Sequence, residues 1–206
     1  MIKNVLFAAL INSALLFGAV SHAQPIVASR DSEVIETLAG VPRDRWVFPW
    51  SAASAHDVFF PAERPNLHRS EGIAAAGRLA LEAAQIGIDD VAMFDLYSCF
   101  PSAVQMGAEA LGIALDDSRG LTVTGGLPYF GGPGNNYVSH SIAVMVDRCR
   151  EDPKGIGLLT GLGWYTTKHS IGIYSSALPR QRFARADAAA EQARIDAMAV
   201  AVAGND

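Results

Sequence analysis

The chain has 206 residues, of which 50% are hydrophobic and 18% are charged. This composition supports one sizeable core and excludes a disordered chain. The net charge is −5 and no basic cluster occurs, so nucleic acid is not an expected partner. The two cysteines, Cys99 and Cys149, are too few for a disulfide framework, and the five histidines have no zinc-ligand spacing, so no metal site is expected.

The N-terminal segment has the layout of a secretory signal peptide. Lys3 precedes an apolar run from Val5 to about Val20, and Ser21-His22-Ala23 then places small residues before Gln24. The run is short for a membrane-spanning helix and no stop-transfer charges follow it, so no membrane span is expected. A buried N-terminal helix is the alternative interpretation of this segment.

The rest of the sequence alternates predicted strands with predicted helices. Strands are predicted over 45–50 (stopped near Pro49), 91–97, 121–124, 156–163 and 170–176, and helices over 73–85, 102–111, 137–150 and 187–203. Ser70 is the predicted N-cap of the first helix, and Pro101 suits the first position of the second. Since single helices separate the strands, the pattern predicts an α/β fold, a mainly parallel mixed sheet with helices on both faces. The expected organisation is a leader over 1–24, a domain over 25–180 and an Ala-rich helical tail over 181–206.

Two segments at predicted strand ends are candidates for chemistry, because α/β sheets place their sites there. Asp95 to Pro101 leads a strand into a helix, where helix N-terminal amides can lower the pKa of the Cys99 thiol. The alternative is that Cys99 is a small buried side chain. Thr160 to Ser170 joins two predicted strands, and His169 in it is a candidate acid–base group. The alternative there is a hairpin with a surface pair of Lys168 and His169.

A third candidate is the glycine-rich run from Gly125 to Asn136, which ends at a predicted helix start. Its glycines allow the backbone to approach a ligand closely, so a loop lining a site is favoured over a purely structural loop. The run fits neither a dinucleotide-binding fingerprint nor a phosphate-binding P-loop. The candidate substrate-binding residues are Gly125, Gly126, Tyr129, Gly131, Gly132, Pro133 and Asn135.

These three segments, in this order and spacing, resemble the C-terminal half of thiolases, near the sterol-carrier-type branch often labelled acetyl-CoA acetyltransferase. The resemblance runs from about Ile26 to Ser176 and includes Gly40 to Val47 and Ile86 to Val91. Thiolases pair two similar βα halves, so the resemblance implies one thiolase-like half. The nucleophilic cysteine of the family belongs to the other half.

The resemblance also places the family's three C-terminal loops on this sequence. Tyr97-Ser98-Cys99-Phe100 lies where an Asn-Glu-Ala-Phe or His-Asp-Cys-Phe loop belongs. Gly131-Gly132-Pro133 stands where the family has Gly-His-Pro, so Gly132 replaces the catalytic histidine. Leu159-Thr160-Gly161 stands where the family has Cys-x-Gly, so Leu159 replaces the acid–base cysteine.

The function that the resemblance implies is the C-terminal part of a thiolase-like acyl-CoA acyltransferase, an enzyme of lipid metabolism that forms or cleaves C–C bonds. Without the nucleophile, the histidine and the cysteine, we expect it to be incomplete or inactive on its own. One alternative is a non-catalytic module that binds CoA or a lipid thioester, or dimerises. Another is a subunit of the retro-aldolase type, with Tyr97, Tyr129 and Tyr165 as acid–base candidates. A third is a gene fragment with a fortuitous leader.

The candidate catalytic residues are Tyr97, Cys99, Tyr165 and His169. The expected ligand is a CoA thioester as substrate, with no permanently bound cofactor. Since half a thiolase would expose an apolar face, we expect a homo-oligomer or association with a thiolase-like N-terminal half. CoA chemistry implies a cytoplasmic location, whereas a genuine leader would imply export.

Overall fold

A computed structural model describes residues 42–132 and 134–201. The leader prediction over 1–24, the prediction for Pro133 and the end of the tail at 202–206 lie outside the described residues. The strands are β1 (Phe48–His56), β2 (Met93–Asp95), β3 (Ile156–Gly163), β4 (Lys168–Ser175) and β5 (Ala184–Arg185). They form a five-stranded sheet in the order β2-β3-β4-β1-β5.

The sheet is mixed, as predicted, but its long ladders are antiparallel. β4 pairs antiparallel with both β3 and β1 along their lengths. The parallel pairs, β2 with β3 and β1 with β5, cover only three and two positions. The prediction of a mainly parallel sheet is therefore corrected. The physical reason is that β3 and β4 are joined by only residues 164–167, and a short turn can connect antiparallel strands but no parallel crossover.

Helices cover both faces of the sheet, which confirms that part of the prediction. The helices are α1 (Glu71–Ala84), α2 (Pro101–Leu111), α3 (Leu127–Phe130), α4 (Tyr137–Glu151) and α5 (Ala189–Asp196). Successive strand residues point to opposite faces, so Leu158 packs in the cluster with α1 and α2 while Leu159 packs in the cluster with α4. The two faces thus have separate hydrophobic cores.

Two predicted strands differ from the structure. The strand predicted over 45–50 begins at Phe48 and runs through Pro49 to His56. The register shifts between Pro49 and Ser51, and such an irregularity tolerates the missing proline N–H. Residues 121–124 form no strand, because the threonine hydroxyls and main-chain N–H groups there turn to the Asp95 carboxylate.

The C-terminal tail is helical over a shorter stretch than predicted. Within 181–201, the described part of the tail, the helix is Ala189–Asp196, and Ile195 is its buried anchor in the larger core cluster. Gln85, in the left-handed conformation, is the C-cap of α1, so the helix ends at Ala84, one residue before the predicted end at 85. Among residues 42–132 and 134–201, no helix is both long and apolar enough to cross a membrane.

The N-terminus of α1 is pressed against the end of β1. Ser70 caps the helix as predicted, since its side chain accepts the Ile73 N–H at 3.0 Å. A Cβ on Gly72 would lie 2.9 Å from the Asp57 nitrogen and the His56 carbonyl carbon, and 2.8 Å from His169 Cδ2. A side chain at position 72 would therefore clash with the backbone of His56 and Asp57.

We expect Gly72→Ala to lower the free energy of unfolding by about 1–3 kcal/mol, because the backbone of β1 must move to admit the methyl group. Gly163→Ala is the matched control, since its Cβ would make ordinary contacts at 3.6 Å with Lys168. Urea unfolding of both variants tests this. Equal stability of the two variants would contradict the close approach.

Candidate functional site

The first two candidate segments meet beside the carboxyl end of β2, where Thr160, the first residue of the third segment, lies within β3. The Tyr97 N–H donates to Thr160 Oγ1 at 2.8 Å, which joins the first segment to the third. The Leu127 N–H donates to Ser98 Oγ at 3.0 Å, which joins the glycine-rich run to the first segment. The rings of Tyr97 and Tyr137 pack edge to face at 5.4 Å. These contacts form one cluster, here called the loop site (residues 97–100, 122–132 and the buried strand residues 159–161).

A buried carboxylate holds this arrangement together. Asp95 is fully buried, and its Oδ2 accepts hydrogen bonds from Tyr137 Oη at 2.9 Å and Ser141 Oγ at 2.5 Å. Its Oδ1 accepts from Thr122 Oγ1 at 2.7 Å and Thr124 Oγ1 at 3.2 Å. The carboxylate therefore joins the end of β2, the residues that lead into the glycine-rich run and the start of α4.

The glycine-rich run adopts conformations that favour glycine. Gly126 has φ 92°, and a Cβ there would lie 3.1 Å from Ser98 Oγ, so glycine permits the close contact between loops. The other predicted binding residues lie along the same run: Gly125 and Gly131 also have positive φ, Tyr129 is 90% exposed in α3, and Gly132 and Asn135 are exposed. Asn136 occupies the N-cap position of α4 without a side-chain cap.

The ionisable groups of the first segment are not activated. Burial raises the pKa of the Cys99 thiol, and the main-chain N–H groups of Phe100 and Cys99 offset this only in part. The direction of this pKa shift favours the alternative that Cys99 is a small, partly buried side chain. Burial also raises the pKa of Tyr97, with a smaller contribution from Cys99. At neutral pH both groups are protonated, so Tyr97 is a hydrogen-bond donor and Cys99 is not a thiolate.

His169 is placed away from the surface and under α1. Lys168 is exposed, but His169 is only 4% exposed, so the two do not form a surface pair. His169 Nε2 lies 2.9 Å from Asp57 Oδ2 and 3.3 Å from Ser70 Oγ. Alternation along β4 puts the ring on the face of Ile171, which belongs to the α1 cluster, and opposite to the face of Leu159.

This network of Asp57, Ser70 and His169 stabilises the start of α1. Ser70 Oγ donates to Asp57 Oδ2 at 2.5 Å, and the Gly72 N–H donates to Oδ1 at 3.0 Å. Burial acts to raise the pKa of Asp57, but the hydrogen bonds from His169, Ser70 and Gly72 outweigh it and leave that pKa below the ordinary 3.8. Ser70 Oγ donates to the Asp57 carboxylate, and a single nitrogen of His169, Nε2, faces both groups. The histidine therefore does not link the hydroxyl to the carboxylate through its two ring nitrogens, and the geometry is that of a helix cap and not of a nucleophile with its base.

Of the four candidate catalytic residues, Tyr97 and Cys99 lie in the loop site and Tyr165 does not. Tyr97 and His169 both line a cavity of about 10 Å³, room for about one water molecule. Tyr165 is 73% exposed on the turn between β3 and β4 and does not line this cavity. Within residues 42–132 and 134–201, no group of three His, Cys, Asp or Glu side chains is placed to hold a metal ion.

Sequence reasoning missed the two buried aspartates that organise these regions. Asp95 is the first residue of the first segment, where its carboxylate was given no role, and Asp57 directly follows β1. The available signal was position alone, since a carboxylate at the end of an apolar strand must find donors when it is buried. Their partners are hydroxyl groups far away in the sequence, which no local pattern indicates.

The solved structures to which this chain is similar include two thiolase-type proteins. One is a monomeric SCP2-thiolase like protein type 1 from Mycobacterium smegmatis, with 41% identity and a TM-score of 0.73 over 80% of this chain and 36% of that chain. The other is the peroxisomal 3-ketoacyl-CoA thiolase of Saccharomyces cerevisiae, with 23% identity and a TM-score of 0.40 over 50% of this chain and 29% of that chain. A scan against protein-family models and a search of curated proteins gave no match. The chain thus spans about a third of the length of the Mycobacterium protein.

We expect Cys99 to be alkylated slowly at neutral pH, with a rate that still increases with pH beyond 9, because burial raises its pKa above the ordinary 9.0. Iodoacetamide labelling with peptide mapping measures this, and Cys99→Ser identifies the site. Cys149 is the internal comparison: it is buried with its pKa raised to about 12, so it should stay unlabelled in the folded protein. A fast reaction of Cys99 with a plateau near pH 7 would refute the assignment.

We expect Asp57→Asn to lower the free energy of unfolding by about 1–3 kcal/mol at neutral pH, because a charged hydrogen-bond acceptor is lost. The pKa of Asp57 is lowered by folding, so its stabilisation is full above the unfolded value and is lost as pH falls through the folded pKa below 3.8. The difference between the native chain and the variant should therefore shrink in acid.

Urea unfolding at a series of pH values measures this difference. Asp116→Asn is the control, since Asp116 is exposed and away from the network. If the difference in free energy of unfolding between the native chain and Asp57→Asn stayed constant as the pH fell below 3.8, the pKa of Asp57 would not be lowered by folding.

Proposed function

Because the chain belongs to the thiolase superfamily, with a fold of the sterol-carrier type, we propose that it supplies the C-terminal part of an acyl-CoA thioester site and does not carry out the thiolase reaction by itself. The observation that supports this most is the convergence of three loops without an activated thiol. Tyr97, Ser98 and Thr160 are hydrogen-bonded into one surface, while the Cys99 thiol stays protonated.

The groups that would perform thiolase chemistry are absent from the two positions where the family has them. Leu159, in place of the acid–base cysteine, is 2% exposed and packs with Tyr174 and Ile142. Gly132, in place of the histidine, has no side chain. Thiolysis and Claisen condensation require a thiolate nucleophile and a base that forms an enolate, so these substitutions remove proton transfer from the loops.

The loop site keeps groups suited to holding a thioester carbonyl. Burial raises the pKa of the Tyr97 phenol, which therefore stays a hydrogen-bond donor. The residue is positioned by the hydrogen bond from its main-chain N–H to Thr160 and by the contact of its ring with the ring of Tyr137. Fixed donors of this kind favour a carbonyl oxygen or an oxyanion. Binding is thus compatible with the side chains present, whereas bond formation lacks its nucleophile and its base.

The ligand would need a further surface to cover it. The cavity lined by Tyr97 holds about one water molecule, far less than an acyl group with its pantetheine arm. We therefore include in the proposal a thiolase-like N-terminal half, or a second copy of the chain, as the partner that completes the site. A CoA thioester as ligand implies a cytoplasmic location, and no permanently bound cofactor is included.

A retro-aldol mechanism through tyrosines is less well supported. Such a cleavage needs an acid and a base near the same C–C bond. Of the three candidate tyrosines, only Tyr97 lies at the junction of the loops, while Tyr129 and Tyr165 are 90% and 73% exposed on other segments. A single protonated phenol does not supply both functions.

We expect the chain alone to show no thiolysis of acetoacetyl-CoA, and to bind a non-reactive acyl-CoA thioether more tightly when co-produced with a thiolase-like N-terminal half. Isothermal titration and a thiolysis assay measure the two properties. Tyr97→Phe should weaken binding by roughly fivefold to tenfold, the effect of one lost hydrogen bond.

Ser118→Ala is the control for Tyr97→Phe, because it removes an exposed hydroxyl outside the loop site. If the chain alone catalysed thiolysis, the proposal that it binds the thioester without carrying out the reaction would be wrong. If the native chain and Tyr97→Phe bound the acyl-CoA thioether with equal affinity, the thioester would not bind at the loop site.

A further inference from the structure

A surface of exposed aromatic rings lies outside the loop site. Phe59, Phe60, Trp164 and Tyr165 form it, and we call it the aromatic surface. Neighbouring rings are in contact: the centroids of Phe59 and Phe60 are 5.3 Å apart, those of Phe59 and Trp164 5.6 Å, and those of Trp164 and Tyr165 6.5 Å. Their exposed fractions are 38%, 59%, 66% and 73% in chain order. Contiguous exposed apolar area of this kind marks an interaction site.

The aromatic surface is rigid, although it is built from two separate segments. Arg64 joins them: its Nε donates to the Val58 carbonyl at 2.8 Å, and its two amino groups donate to the Tyr165 carbonyl at 3.0 Å and to Thr167 Oγ1 at 2.8 Å. Trp164 and Thr166 have φ 61° and 52°, a left-handed conformation that costs energy in residues other than glycine. The turn is thus held in a conformation that presents two rings to solvent.

The chemistry of the aromatic surface favours an anionic interfacial partner. Its four rings line neither the cavity beside Asp57 and Arg64 nor the cavity beside Tyr97 and His169. Lys168 Nζ lies 5.5 Å from the Trp164 ring centroid, so a cation lies beside the rings. Tryptophan, tyrosine and lysine together are typical of protein surfaces at a membrane–water interface.

We propose that the aromatic surface binds peripherally to an anionic lipid bilayer. The rings of Phe60, Trp164 and Tyr165 would enter the headgroup region, with Lys168 facing the lipid phosphates. The rings supply apolar burial, and the lysine makes the binding dependent on anionic lipid and on salt. This proposal does not depend on acyl-CoA binding at the loop site.

Co-sedimentation of the full chain with lipid vesicles tests the proposal. We expect the chain to pellet with vesicles of phosphatidylcholine and phosphatidylglycerol, more weakly with phosphatidylcholine alone, and more weakly again in high salt. Trp164→Gly should lower the partition coefficient by roughly tenfold or more, the effect of one aromatic ring left out of the lipid. Glycine also accepts the positive φ, so this variant keeps its fold.

Phe60→Ser is a second variant on the other segment and should weaken binding in the same direction. Leu178→Ser is the matched control, because Leu178 is an apolar side chain, 77% exposed and outside the aromatic surface. Thermal unfolding of the three variants checks that each of them is folded. A blue shift in tryptophan fluorescence with vesicles, absent in Trp164→Gly, places that ring in lipid.

Three results would overturn the proposal. The first is no pelleting with anionic vesicles. The second is an equal loss of binding in Leu178→Ser. The third is a concentration-dependent dimer in sedimentation velocity that Trp164→Gly and Phe60→Ser abolish, because the aromatic surface would then be covered by a second copy of the chain.

Discussion

The Asp95 carboxylate is the constraint on which the loop site depends. It is fully buried and forms no ion pair within the described part of the chain. Removing a charge from water costs several kcal/mol, and here hydroxyl and main-chain donors from three segments offset that cost. The carboxylate has all its donors only when β2, residues 122–124 and α4 are in place together.

The scaffold around Asp95 does not use the side chains at positions 132 and 159. Its hydrogen bonds come from Tyr137 and Ser141 at the start of α4 and from residues 122–124. The bonds that order this region are therefore independent of Gly132 and Leu159.

Elements with large apolar side chains at regular spacing were predictable from the sequence. α4 shows Ile142, Met145 and Cys149 on one face, and β3 was predicted with its observed bounds. β1 was cut short, because its Ser and Ala side chains carry little hydrophobic signal and Pro49 indicated a stop. The role of His169 could not be decided from the sequence, because a histidine buried beside a helix cap and a histidine exposed as a base can have the same local sequence. Only the distant partners Asp57 and Ser70 distinguish them.

The edge of β1 that faces β5 affects the tendency of the chain to aggregate in concentrated solution. β5 pairs with β1 only at Ser51 and Ala52, yet beyond that point the His56 N–H donates to Gln192 Oε1 at 2.8 Å and the His56 carbonyl accepts from Gln192 Nε2 at 3.0 Å. The side-chain amide imitates the peptide group of a neighbouring strand. An unpaired strand edge is a template on which other chains can add strands, so Gln192 and α5 protect this sheet against edge-to-edge aggregation.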